Sequence, residues 1–269
     1  MRAHTNHVLG VVHLHGGRQI ITCSWDGSLR LWDLESGMQI GEDWRDDEAK
    51  EAGWGAYSIA LSSNGKTVMN GCGDGRVRLW DIERGKVIKK WMGHTEAVTS
   101  VCWSAGGERV VSGSRDGTAR VWNAKTGETL LQIKTGELST GYDEVRAVIY
   151  SPDNTQIATG GYSDEAKIWD AKTGKLITTL KHNVIVFSLA WTSAGKTLIT
   201  GSYGPIRIFD TVTWRRIATL QGHIMINYVN AITLSHNNRL LASASNDKTV
   251  RLWSLDTNQP PCRSTPPAQ

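Results

Sequence analysis

The sequence predicts an all-β protein assembled from six repeats of one sheet motif, with four strands legible in five of them and three in the sixth. Six short strand-like runs end in an aromatic followed by Asp or a stand-in: Trp32-Asp33, Trp80-Asp81, Trp122-Asn123, Trp169-Asp170, Phe209-Asp210 and Trp253-Ser254. Their spacings run from 40 to 48 residues, the period of propeller blades, each of which needs stacked neighbours to bury its faces. Turn residues also fall where a four-stranded meander must reverse. The 269 residues fit one β domain, predicted over residues 1–256.

The third repeat shows the strands in order. Val98, Ser100 and Cys102 alternate with Thr99, Val101 and Trp103, the period of two expected of a strand. Ala105-Gly106-Gly107 supplies a turn, and Arg109 to Ser114 forms a second strand rich in valine and short side chains. Asp116-Gly117 is a hairpin signal, because Gly tolerates positive φ and Asp bonds its own turn backbone. Thr118 to Trp122 is the third strand, Lys125-Thr126-Gly127 the next turn, and Glu128 to Ile133 the fourth strand.

These residues resemble the WD-repeat (WD-40) β-propeller family, and the resemblance covers residues 3 to about 256. In that family a His, a Ser or Thr, an Asp and a Trp form a hydrogen-bonded tetrad in each well-formed blade. The resemblance implies three such sets here: His4, Thr22, Asp26 and Trp32; His94, Ser112, Asp116 and Trp122; His223, Ser243, Asp247 and Trp253. Buried indole and imidazole N–H groups need acceptors, which hydroxyl and carboxylate supply. The other blades depart from the pattern. Blade two keeps Asp74 and Trp80 but has Asn70 and no matching His; blade four keeps Thr159 and Trp169 but has Ser163 for Asp. Blade five has His182 and Phe209 with a shortened Tyr203-Gly204-Pro205 turn. Blades one, three and six are therefore expected to be stiffer.

The family's binding contacts often come from residues flanking the first buried aliphatic of each inner strand, and from the residue before the turn Asp. Carried over, these are His7, Leu9 and Trp25 in blade one, Tyr57 in blade two, and Ala97, Thr99 and Arg115 in blade three. Blade four gives Glu144, Arg146 and Tyr162; blade five Ile185, Phe187 and Tyr203; blade six Tyr228, Asn230 and Asn246. Six aromatics with an arginine pair have the composition of an interaction hot spot. The expectation is a non-catalytic scaffold binding a protein or peptide on this upper face.

The competing class is a metal-dependent propeller hydrolase or lactonase. Only Glu144 occupies a candidate channel position, and His13 and His15 lack an evident third ligand. Asp26, Asp74, Asp116 and Asp247 recur by position and read as turn groups, and no Gly cluster opens a helix as a phosphate loop would. No catalytic residue, metal or cofactor is assigned.

Net charge is only +4, from 30 basic and 26 acidic residues, and the basic ones are scattered, which does not point to nucleic acid. Cys23, Cys72 and Cys102 read as small buried hydrophobes, and with Cys262 they make no zinc spacing. Without a signal-like or membrane-spanning run, the chain is expected to be intracellular, cytoplasmic or nuclear.

Two longer connections, Gly41 to Gly55 and Thr135 to Asp143, read as solvated loops. The first carries Asp43, Asp46, Asp47, Glu48 and Glu51 among Trp44 and Trp54; the second carries Ser139, Thr140 and Gly141. Residues 257–269 hold four of the six prolines where an outer strand should follow, and read as a disordered tail. The chain is similar to fungal WD-repeat arrays, including ones attached to NACHT-type NTPase domains, which commonly close with seven blades. That similarity implies a truncated seven-bladed ring, hence a strained six-blade ring or an open array prone to self-association.

Overall fold

The computed structural model describes residues 3–46, 54–136, 143–182, 184–224 and 227–255. The predicted tail, the acids Asp47, Glu48 and Glu51, and Ser139, Thr140 and Gly141 lie outside these. The chain divides after Tyr150 into two compact units, residues 1–150 and 151–269. The described residues form 23 strands in six antiparallel sheets and no helix, so the protein is all-β.

Blade one is β1 (Val8–His13), β2 (Gln19–Ser24), β3 (Leu29–Asp33) and β4 (Gln39–Trp44). Blade two is β5 (Ala56–Leu61), β6 (Thr67–Cys72), β7 (Val77–Asp81) and β8 (Lys86–Trp91). Blade three is β9 (Val98–Trp103), β10 (Arg109–Ser114), β11 (Thr118–Asn123) and β12 (Thr129–Lys134). The fourth sheet is β13 (Val145–Tyr150), β14 (Gln156–Gly161), β15 (Glu165–Asp170) and β16 (Leu176–Lys181). Blade five is β17 (Val186–Trp191), β18 (Thr197–Ser202), β19 (Ile206–Asp210) and β20 (Arg216–Leu220). Blade six has three described strands, β21 (Val229–Leu234), β22 (Leu240–Ser245) and β23 (Val250–Ser254).

The inner strands do not alternate as simply as the third repeat suggests. In β9 the buried pair is Val98 and Val101, three residues apart, while Ser100 and Cys102 are half-buried. The cause is a β-bulge: Val98 pairs with Ser114 and Ser100 with Gly113, which leaves Thr99 unpaired. The same slip omits Leu9, Tyr57, Phe187 and Asn230 from their ladders. A bulge re-aims the extra side chain and bends its strand. In these five blades it therefore lifts one residue out of the core.

The core sits between successive blades. Leu14, Ile21, Cys23, Leu29 and Trp44 meet Ala56, Val68 and Trp80, and Met69, Val77, Leu79 and Trp91 meet Val98, Val101, Val110 and Trp122. In the second unit Ile199, Ile206, Ile208 and Leu220 meet Val229, Ile232, Leu241 and Trp253. Outer-strand tryptophans cap two of these layers: Trp44 stacks on Trp80 at 6.4 Å and Trp91 on Trp122 at 5.9 Å. Cys23 and Cys72 are buried among them, and burial pushes both thiols up, Cys72 to about 11. Such thiols behave as small hydrophobes. Cys102 is only half-buried.

Candidate protein-docking surface

The turn that presents each face residue is anchored from below. In blade three the Trp122 indole N–H donates to Ser112 Oγ at 2.7 Å, and His94 lies 2.7 Å from Ser112 and 2.8 Å from Asp116. One proton assignment satisfies every member: Nδ1–H of His94 donates to the carboxylate, and the Ser112 hydroxyl donates to Nε2. Asp116 also accepts the backbone N–H groups of Thr95 and Thr118. Burial raises its pKa, but hydrogen bonds from His94 and Thr118 outweigh that and hold it low, at about 2.

Blade one repeats the geometry, with Thr22 Oγ1 2.8 Å from Trp32 Nε1 and 2.7 Å from His4, and His4 2.9 Å from Asp26. In blade six the corresponding distances through Ser243, His223 and Asp247 are 2.8, 2.7 and 2.8 Å. Both aspartates are held well below the usual range; burial opposes this, and Ser28 or Thr249 with the His and turn amides outweighs it.

The departing blades solve the same problem with other groups. Trp80 donates to Asn70 Oδ1 at 2.7 Å, and Trp169 to Thr159 Oγ1 at 2.9 Å. In blade two the guanidinium of Arg78 holds Asp74 in place of an imidazole, with Nη2 2.5 Å and Nη1 3.1 Å from its oxygens. Arg78 Nε lies 2.5 Å from Asp46, which Lys90 also reaches at 2.8 Å. Burial works against ionisation of Asp46, yet Lys90 and Arg78 keep it below its ordinary value. Sequence reasoning placed Asp46 in a solvated loop; it is a buried counter-ion. In blade five His182 lies 2.8 Å from Thr200 Oγ1 and donates from Nδ1 to the Leu180 carbonyl at 2.7 Å. Burial lowers its pKa to about 4, so it is neutral near pH 7.

On this framework the first unit presents a continuous row. Trp25 follows β2, and its amide bonds the His7 carbonyl at 2.8 Å. Its indole N–H donates to Tyr57 Oη at 3.0 Å, with the rings edge-on at 6.3 Å and His7 on the other side at 6.0 Å. The Trp25 ring passes over Gly55, where an added Cβ would stand 2.1 Å from Cδ1. Gly73 lies under both Trp54 and Tyr57, whose ring atoms would be 3.2 and 3.3 Å from a Cβ there. The guanidinium of Arg115 sits 5.2 Å above the Tyr57 ring, within cation–π range. Glu144 lies between two arginines, 3.7 Å from Arg115 and 3.0 Å from Arg146.

Trp25 and Trp54 are 45% and 46% exposed. The sequence reading left Trp54 among the loop acids. The glycine after Cys72, which admits two rings side by side, was the available signal. Two other residues named for this face do not present side chains. Ala97 is buried, and the Thr99 hydroxyl bonds the backbone carbonyls of Val145 and Gly113.

In the second unit the named residues turn towards one another. Phe187 meets Tyr228 edge-on at 4.6 Å, Tyr203 meets it at 5.1 Å, and Tyr203 and Tyr228 share a backbone bridge. Asn230 bonds Asn246 through their side-chain amides. Tyr162 and Ile185 are half-buried. Among the described residues no group of three His, Cys, Asp or Glu is arranged to hold a metal. His15 packs over Gly65, beyond the end of β1 opposite His7. Among the described residues no helix is long and apolar enough to cross a membrane.

Six segments, residues 1–33, 51–81, 85–123, 132–170, 174–210 and 214–254, match the WD domain, G-beta repeat family. They cover most of the chain, and each ends one residue after the aromatic that closes its repeat. The chain belongs to the WD-repeat family, whose members generally serve as protein-interaction scaffolds. It is also similar to a bromodomain and WD repeat-containing protein of Dictyostelium discoideum, 35% identical over 79 residues. That match spans 29% of this chain and 4% of the relative's length.

Proposed function

We propose that the chain is a non-catalytic scaffold that docks a protein or peptide segment on the Trp25–Trp54–Tyr57 patch and the adjoining Arg115–Glu144–Arg146 row. The observation that carries this is the exposure of two tryptophans beside an aromatic whose other face carries a guanidinium. Clustered exposed aromatics carry a solvation cost that a partner relieves, and Trp, Tyr and Arg are the residues that most often dominate binding energy. Two arginines against one carboxylate leave the row net positive. The fitting partner is an extended segment with an apolar side chain for the tryptophans and a carboxylate for the arginines.

Capture of partners from a native lysate tests the reading. Wild-type protein and Lys89→Ala, changed on the outer strand β8, should retain the same bound protein. Trp25→Ala and Arg115→Ala should lose it while keeping the wild-type melting temperature. Retention by both would overturn the proposed surface.

A further inference from the structure

Blade five departs from its own repeat at one backbone position. In the first four blades the turn between the third and fourth strands ends on a glycine in the left-handed region: Gly37, Gly85, Gly127 and Gly174, with φ of 67°, 63°, 79° and 70°. Blade five has Trp214 there, at φ 56°. A Cβ is disfavoured in that region, and a bulky side chain in it is a genuine outlier. Glycine would take the same turn without strain. Outliers of this kind cluster at functional sites.

The indole delivered by that turn completes a corner. Trp214 meets Trp191, the last residue of β17, at 6.1 Å with the two rings 84° apart. Trp191 is fixed by its own turn, where its indole N–H donates to the Gly195 carbonyl at 3.0 Å. Thr211 ties the two turns together: its amide donates to the Lys196 carbonyl at 3.1 Å and its hydroxyl to the Gly195 carbonyl at 2.6 Å. Both rings are half-buried, and Val212 in the same turn is 84% exposed. The corner lies at the opposite end of blade five from the Tyr203 turn.

Its rim is basic. Lys196 and Arg215 are exposed. Neither meets a carboxylate among the described residues, whereas Lys167 pairs with Glu165 and His223 with Asp247. Asp210, which opens the turn, is already engaged by the amides of Val212 and Thr213 and by the Thr213 hydroxyl, at 3.2, 2.7 and 2.7 Å. Residues 151–269 carry 12 Lys and Arg against 7 Asp and Glu, and residues 1–150 carry 18 against 19. The chain's excess of positive charge therefore belongs to the second unit, where it favours an acidic partner.

We propose that this corner is a second docking site, and that its occupant is an acidic, proline-containing segment of a partner protein. A proline ring enters between Trp191 and Trp214, and flanking carboxylates meet Lys196 and Arg215. Proline-rich segments are already extended when free, so they enter aromatic-lined grooves at little ordering cost. Rings held in place by their own turns lower that cost further. Two edge-on indoles give no flat platform for the successive base stacking on which single-stranded nucleic acid relies.

Fluorescence anisotropy with a labelled peptide of alternating glutamate and proline tests this. Wild-type protein should bind it saturably, bind a glutamate–glycine peptide several-fold more weakly, and ignore a lysine–proline peptide. Trp214→Gly restores the residue that four blades use, so it should melt at or above the wild-type temperature while weakening the peptide by about tenfold. Lys196→Ala with Arg215→Ala, at exposed positions, should weaken it several-fold and reduce its dependence on salt. Absence of saturable binding, or equal binding of the lysine–proline peptide, would overturn the proposal. So would a Trp214→Gly variant that binds as wild type does, or one that melts well below it, since the ring would then serve packing alone. An oligothymidylate that binds more tightly than the peptide and is lost with Trp214→Gly would replace the occupant and overturn it as well. Trp25→Ala should bind the peptide as wild type does, so failure here leaves the Trp25 surface standing.

Discussion

The two units spend the same strand positions on different chemistry. In the first, bulged and turn-borne residues leave tryptophan exposed beside an arginine–carboxylate row, and charged groups are drawn inward as Arg78, Asp46 and Asp74. In the second, the corresponding aromatics close on one another around Tyr228, and beside the His223–Asp247 pair of its tetrad the unit buries a neutral histidine, His182. A repeat therefore fixes where a side chain is delivered. What it does there depends on its neighbours.

The largest effect should come from breaking the buried ion cluster of blade two. Arg78→Met leaves Asp46 and Asp74 with much reduced compensation, and removal of one member of a buried ion pair typically costs about 3–5 kcal/mol. Chemical denaturation should show a loss of that size. A loss below about 1 kcal/mol would mean that water, not Arg78, satisfies these carboxylates. Next comes the tetrad of blade three: Asp116→Ala should cost about 1–3 kcal/mol, since His94 and two backbone amides lose their acceptor. Ser163→Ala in blade four should cost much less, because its hydroxyl bonds the Glu165 carbonyl at a long 3.5 Å. Equal melting shifts for the two would contradict this ranking.

Acid should separate the units. His182 is held neutral, its pKa lowered from 6.5 to about 4, so between these values the unfolded chain binds a proton that the folded one refuses. Stability is full above about pH 6.5 and falls on acidification by up to about 1.4 kcal/mol per pH unit. Asp116, low in the folded state at about 2, contributes stability above the unfolded value near 4 and loses it only as pH falls towards 2. Hydrogen exchange followed by peptide should show blade five loosening by pH 5, before blade three. Simultaneous loosening would remove histidine burial as the cause.

Much of this was legible in the chain. The six aromatic endings and their spacing specify the blades, and strand β10 falls on the residues read for it, Arg109 to Ser114. The bulge was not legible, because the register of an inner strand is set by the blade it packs on. Alternation around Val98 marks the strand but does not show that Val98 and Val101 are its buried pair. Arg78 was passed over for a related reason. Arg30, Arg78, Arg120, Arg207 and Arg251 recur at one strand position, and only the placement of Asp46 makes Arg78 a core residue. Trp54 was hidden likewise, since only the glycine at 73 brings it beside Tyr57.

The most direct measurement is the affinity of a lysate-captured partner for wild-type protein, Trp25→Ala and Tyr228→Ala, by isothermal titration calorimetry. The first-unit patch predicts that Trp25→Ala weakens binding by about 1–3 kcal/mol with the fold intact. Tyr228→Ala should leave affinity within twofold while lowering the melting temperature, because its ring packs against Phe187 and Tyr203. The reverse pattern, with affinity lost at Tyr228 and kept at Trp25, would contradict the assignment.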